Sequence, residues 1–189
     1  MNSGPCSRKS KLRFSLVWAL MFGVAAPLAQ PVDGKSNRSC SLDDLEQEML
    51  DRVNQARSQP RQCGGESFDE AQPLTWNCRL EAAARAHTEA MVEQAFFGHT
   101  GPDGKQVTDR VDKAGYSWRS VGENIAAGQE TVGQVVEGWL QSPGHCRNIM
   151  KPGFEEMGAA RSDNRGGPYD PYWTQVFARP RQGARSPND

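Results

Sequence analysis

The 189-residue sequence has no apolar run long enough to span a bilayer, no excess of basic charge, and only three histidines. Its longest apolar stretch, from Phe14 to Leu28, is about 15 residues, against the roughly 20 that a membrane helix needs. Twenty-two basic side chains stand against 23 acidic ones, which argues against non-specific nucleic-acid binding, since that needs a basic face to displace counterions. Several catalytic signatures are missing too. There is no H-E-x-x-H zinc helix, no G-x-S-x-G nucleophile elbow and no G-x-x-x-x-G-K-[ST] phosphate loop. No C-x-x-C pair marks a zinc site, and no internal repeat is visible.

What is present begins with an N-terminal region of four basic residues (Arg8, Lys9, Lys11, Arg13) and no acidic one, followed by the short apolar run. Residues 1–29 read as a secretory signal peptide, and residues 30–40 as a polar linker. Removing the signal leaves 18 basic against 23 acidic side chains, on about 160 residues, enough for one domain with a proper core. Cys6 leaves with the signal. Cys40, Cys63, Cys78 and Cys146 remain, an even set that reads as two disulfides with three connectivities open.

Ser41 with Asp44 signals a helix start, and Leu42, Leu45, Met49, Val53 and Ala56 recur at helical spacing, which predicts a helix over 41–57. Pro60, Gly64 and Gly65 predict a loop running to Asn77, the cap of a second helix over 79–95. A turn-rich segment, FFGHTGPDGK, precedes a short helix from Val107 to Ala114. WRSVGENIAAG reads as a strand entering a glycine-rich bend, and Val132, Val135, Val136, Trp139 and Leu140 form a third long apolar helix face that Ser142-Pro143-Gly144 stops. Two late strands, EMGAARS and YWTQVFA, precede a disordered tail over 181–189. Helices first and strands late predict an α+β domain over 41–180 with a small antiparallel sheet.

His99 and His145 fall among loop glycines, where side chains more often carry function, and imidazoles there can bind a metal or move a proton. Glu123 is the carboxylate expected to join them, oriented by the glycine and the amide on either side of it in GEN. His87 lies on an apolar helix face and reads as a core histidine. With all four remaining cysteines assigned to disulfides, no nucleophile accompanies this set.

The blocks FFGHT, GENIAAG, VVEGWLQSPGHCRNIM, EMGAA and YWTQVFA, in that order, resemble the CAP superfamily of cysteine-rich secretory proteins, antigen 5 and pathogenesis-related proteins, and in particular its bacterial secreted, SCP-like branch. The resemblance implies an α-β-α sandwich with a small antiparallel sheet between helical layers, and a cleft lined by two histidines and two glutamates. His99 matches the first cleft histidine and Glu123 the GEN glutamate. Ser142 stands where other members have the second glutamate, and Tyr172 where they have the second histidine; the SPGH string places His145 as the substitute. Bacterial members carry R-x-C-G and GHC together, which implies a Cys63–Cys146 bond and leaves Cys40 with Cys78, while a Cys63–Cys78 pairing stays open.

The expected function is a secreted or periplasmic, monomeric, non-enzymatic binding module. Its His99, Glu123, His145, Tyr172 and Ser142 cleft would receive a small apolar, lipid, peptide or cell-wall ligand, or another extracellular or cell-envelope component. No nucleic acid and no membrane span are expected. The alternatives are a metal-dependent hydrolase, with a divalent cation such as zinc on His99, His145 and Glu123, and a purely structural cluster that takes no ligand.

Overall fold

Asp43 fixes where the first helix begins. In the computed structural model, which describes residues 41–165 and 167–183, Asp43 Oδ1 accepts from the Glu46 amide at 2.8 Å and Glu46 Oε2 accepts from the Asp43 amide at 3.0 Å. This reciprocal capping box opens helix α1 (Asp44–Arg57). It corrects the expectation of a start at Ser41, because a glutamate three residues on reaches the capping amide and the shorter Asp44 is not used in that way. The proposed signal peptide, linker and Cys40, and residues 184–189 of the proposed tail, lie outside the described residues.

Two short strands, β1 (Arg61–Cys63) and β2 (Glu66–Phe68), pair antiparallel across Gly64, whose φ of 68° suits glycine. The sequence pattern predicts only loop here, since three-residue strands are too short to show alternation. Strand β3 (Thr75–Trp76) leads into α2 (Cys78–Glu93), where Asn77 Oδ1 accepts from the Arg79 amide at 2.9 Å as its cap. This helix stops two residues short of the expected end, just before Ala95 at φ 50°.

Helix α3 (Val107–Lys113), strand β4 (Trp118–Ala127) and helix α4 (Val132–Gln141) follow. The chain then bends at Ser142 and starts a new helix, α5 (Pro143–Met150). Pro143 stops one helix and opens the next, because its missing N–H and fixed φ suit a first helical position. His145 therefore sits in the first turn of a helix, which corrects its expected place in a loop. Glu123 lies in the middle of β4, within the segment expected as a strand.

Strands β5 (Glu156–Ser162) and β6 (Tyr172–Pro180) complete a four-stranded sheet in the order β3-β5-β6-β4, antiparallel except for the short β3–β5 pair. Alternation divides the two faces. Met157, Ala159, Trp173 and Phe177 join the core built with α1, α4 and α5, while Ala160, Val176 and Ala178 pack with Leu80, Ala83 and Ala84 of α2 and Val111 of α3. The result is the expected α+β sandwich, helices on both faces of one sheet.

Arg57, fully buried, ties the first of these layers together. It donates to the carbonyls of Gln72, Ile149, Lys151 and Phe154, at 2.7 to 3.3 Å, and burial lowers its pKa to about 10. The four acceptors lie on segments joined by no strand pairing, so one guanidinium ties their carbonyls together, that of Lys151 accepting from the Phe154 amide as well. The Cys63–Cys146 disulfide joins β1 to α5. Cys78 is disulfide-bonded as well, and its proposed partner Cys40 lies outside the described residues.

Candidate functional site

Strand β4 lies at one end of the sheet order, and its residues alternate between the two helical layers. Glu123 pairs with Val176 and so faces α2 and α3; Asn124 pairs with Gln175 and faces α5. Consecutive residues of GEN thus serve opposite layers. Gly122 is on the Asn124 side, where a Cβ would come within 2.8 Å of the Phe154 ring. That close approach, rather than any turn, is the reason for glycine here.

The Glu123 side chain is 3% exposed, and three cationic or ionisable groups surround it. His99 Nδ1 lies 2.8 Å from Oε1, and Arg110 Nη2 donates to Oε2 at 2.6 Å. His87 Nε2 is 4.0 Å from Oε1 and makes its own hydrogen bond to the Gly98 carbonyl at 2.8 Å. The pKa of His87 is lowered, mainly by burial, with Glu123 opposing the shift. Arg110 also donates through Nη2 to the His99 carbonyl and through Nη1 to the Lys105 carbonyl, both at 3.1 Å. The loop carrying His99, helix α3 and strand β4 are therefore held at one carboxylate.

His145 stands apart from this pair. It is half-buried, and its pKa is lowered, first by desolvation and then by the electrostatic influence of His99. It makes no hydrogen bond to Glu123 among the described residues. Its helix is fastened to β4 from the other layer: Asn124 Nδ2 donates to the His145 carbonyl at 3.3 Å, and Asn148 Nδ2 donates to Asn124 Oδ1 at 2.9 Å and to the Glu123 carbonyl at 3.0 Å. Asn124 orients the helix that bears His145 and not the Glu123 carboxylate, which corrects the role expected for the GEN amide. Ser142 caps the junction of α4 and α5, its carbonyl accepting from the Cys146 amide at 2.8 Å. Tyr172 is 1% exposed, beneath Phe97 and Tyr169 with ring centroids at 6.1 and 6.2 Å. Phe97 and Tyr169, themselves 6.1 Å apart, are the large apolar side chains left exposed among the described residues, at 48% and 51%.

The donor set does not suit a cation held by His99, His145 and Glu123 together. Both oxygens of Glu123 are engaged, one by a guanidinium, and among the described residues no three His, Cys, Asp or Glu side chains are grouped to hold a metal. Arg110 and the proximity of His87 were missed from sequence. A signal existed for each: Arg110 shares its helix face with Val107 and Ala114, an unusual place for an unpaired cation, and His87 is likewise on an apolar face.

The sequence profile of CAP, the Cysteine-rich secretory protein family, matches residues 50–177. The chain belongs to the CAP family. The uncharacterized protein YkwD of Bacillus subtilis (strain 168) is 34% identical over 105 residues, 56% of this chain and 39% of that protein. The uncharacterized membrane protein YlbC of the same strain is 28% identical over 106 residues, 56% of this chain and 29% of that protein. This CAP chain thus spans under two fifths of the length of these curated relatives. Among solved structures, an extracellular protein containing a SCP domain from Bacillus anthracis str. Ames aligns with a TM-score of 0.57 and 26% identity, over 71% of this chain and 40% of that one. An outer surface protein from Borrelia burgdorferi aligns with a TM-score of 0.57 and 20% identity, over 71% of this chain and 89% of that one, a likeness of fold. Among the described residues, no helix of this CAP domain is long and apolar enough to cross a membrane.

Proposed function

We propose that this CAP domain acts outside the cytoplasm as a monomeric, non-enzymatic binding module. The His99–Glu123 pair would form the polar floor of a cleft for a small apolar, lipid, peptide or cell-wall ligand, with His145, Ser142 and Tyr172 around it. The observation that carries this reading is the double engagement of Glu123: a carboxylate held by an imidazole and a guanidinium is fixed in place and is not free to abstract a proton. Among the described residues, no serine, threonine or cysteine side chain hydrogen-bonds to His99, His145 or Glu123, so no nucleophile is poised beside them. Phe97 and Tyr169 supply an exposed aromatic pair, two residues from His99 in the one case and above Tyr172 in the other, the kind of rigid surface that anchors a ligand. The Cys63–Cys146 disulfide and the extracellular relative support an oxidising, extracytoplasmic setting.

The test is sedimentation of the purified protein with lipid vesicles and with isolated cell-wall sacculi. Wild type is expected to co-sediment with one of them, and Phe97→Ala with Tyr169→Ala to weaken that binding by about tenfold, as loss of aromatic anchors does. Absence of binding to both would remove the reading. A structural role for the cluster is favoured by one observation, that Glu123 ties together the His99 loop, α3 and β4. If His99→Ala lowered the melting temperature and left ligand binding unchanged, the structural reading would replace the binding one.

A further inference from the structure

Glu123 is almost out of solvent, and a carboxylate so placed needs a positive partner. Across the cleft positions of this chain, that partner is part of the protein. Arg110 Nη2 is 2.6 Å from Glu123 Oε2, and its side chain is itself 9% exposed. We infer that Arg110 is a built-in counter-ion that takes the place a divalent cation would have beside Glu123, so that the cluster is a metal-free hydrogen-bonding site whose outward acceptor is His99 Nε2.

Three observations support this. First, the guanidinium is held independently of Glu123, by the His99 and Lys105 carbonyls, so it is a fixture of the fold and not a side chain that swings in. The planar guanidinium can serve Glu123 and the two carbonyls at once, which suits a permanent counter-ion. Second, a cation reaching the cluster from the His99 side would find His99 and, at most, His145. Zinc in a catalytic site takes three protein ligands and a water, and the third here is already spent on Arg110. To become a ligand, Glu123 would have to turn from Arg110 and leave a nearly buried guanidinium unpaired.

Third, the pairing decides the tautomer of His99. Glu123 faces Arg110 as a carboxylate and can only accept, so the proton lies on His99 Nδ1. In the neutral imidazole Nε2 then carries the free lone pair. The His99 side chain is 58% exposed, and Nε2 has no partner among the described residues. The chemistry that this edge recognises is an uncharged N–H or O–H donor, such as an amide or a sugar hydroxyl. Arg110 is a positioning residue in this scheme: it acts on a ligand only through Glu123 and His99. The inference about the metal stands whether or not the binding function proposed above is correct.

The experiment is zinc chloride titration by calorimetry at about pH 7.5, with metal analysis after dialysis, on wild type, Arg110→Met, Arg110→Lys and His99→Ala. Wild type and Arg110→Lys are expected to hold no stoichiometric zinc. Arg110→Met, with Glu123 Oε2 freed, is expected to gain zinc affinity by roughly tenfold or more, the scale on which partners around a metal site act, and the gain should vanish when His99→Ala is added. One equivalent of zinc on wild type, lost in His99→Ala, would overturn the inference. If Arg110→Met fails to fold, nitrogen NMR of wild type decides alone. An Nδ1–H tautomer at His99 that is unmoved by zinc supports it, and an Nε2–H tautomer or a zinc-dependent shift at His99 overturns it. These readouts use zinc alone, so an empty vesicle and sacculus assay leaves them untouched.

Discussion

Glu123 and Asn124 are adjacent in β4 and hold opposite layers of the sandwich. Glu123 gathers His99 and Arg110 on the α2–α3 side, while Asn124 donates to the His145 carbonyl at 3.3 Å and to Gln175 Oε1 at 3.2 Å, and accepts from Asn148 at 2.9 Å on the other. A strand at the end of the sheet can do this because its side chains alternate. A helix in the same place would have put both residues on neighbouring faces of one layer.

Asn124→Ala is therefore expected to loosen α5 without disturbing Glu123. It removes hydrogen bonds to the His145 carbonyl, Gln175 and Asn148 and leaves buried partners unsatisfied, a loss of about 2 kcal/mol in urea unfolding. Amide hydrogen exchange should rise in α5 and stay as in wild type in α3. Equal acceleration in both helices would contradict the separation of roles.

Arg110 and Glu123 should be energetically coupled. Arg110→Met leaves a carboxylate at 3% exposure without its cation, and Glu123→Gln leaves the guanidinium without its anion, so each single change is expected to cost about 3 kcal/mol. The double variant removes both charges and should cost well under their sum. A double-mutant cycle from denaturant unfolding measures the difference, and a coupling near zero would show that Arg110 is held by the His99 and Lys105 carbonyls alone.

Most of the frame was legible in the sequence. Periodicity located α2, β5 and β6 to within two residues or so, and the five blocks pointed to the sandwich that the family match bears out. What escaped has a physical reason in each case. Pro143 serves equally as a stop and a start, and the pattern of apolar residues does not tell which, so the turn of helix that bears His145 reads as loop. Arg110 and His87 meet Glu123 from positions 13 and 36 residues away in the chain, and such pairings depend on the packing of α2 and α3 against the sheet. His99 with Glu123 was legible because both lie in motif blocks. The counter-ion was not, because charge partners carry no periodic signature.

Gly158 is where α2 meets the sheet backbone to backbone. A Cβ built there would lie 2.1 Å from the Glu81 amide nitrogen and 2.6 Å from the Leu80 carbonyl carbon. No side-chain rotation relieves a clash with helix main chain, so Gly158→Ala must lift α2 from the sheet. The expected cost is about 3 kcal/mol or more, the upper range for overpacking. Since α2 also carries His87, the His87–Gly98 bond should weaken with it, visible as a change in the His87 imidazole resonances. A variant as stable as wild type would mean that α2 can shift outward at little cost.

Stability should fall as the solution is acidified below neutrality, and His87 should be one cause. Its side chain is 1% exposed, and its folded pKa is depressed below the ordinary value of 6.5, burial being the main reason. Between that depressed value and 6.5, the unfolded chain binds more protons at this position than the folded one, so unfolding is favoured by added protons. The stabilisation tied to a neutral His87 is thus complete above pH 6.5 and is lost as pH falls through 6.5 towards the folded value, with a limiting slope of roughly 1.4 kcal/mol per pH unit for one proton. His145 is shifted in the same direction and adds to the slope with the same sign. His87→Gln keeps an N–H for the Gly98 carbonyl and removes the titration, so its stability should vary less with pH across this window than that of wild type. Parallel pH profiles for the two proteins would show that the buried imidazole does not titrate on unfolding, and the acid sensitivity would then belong to other groups.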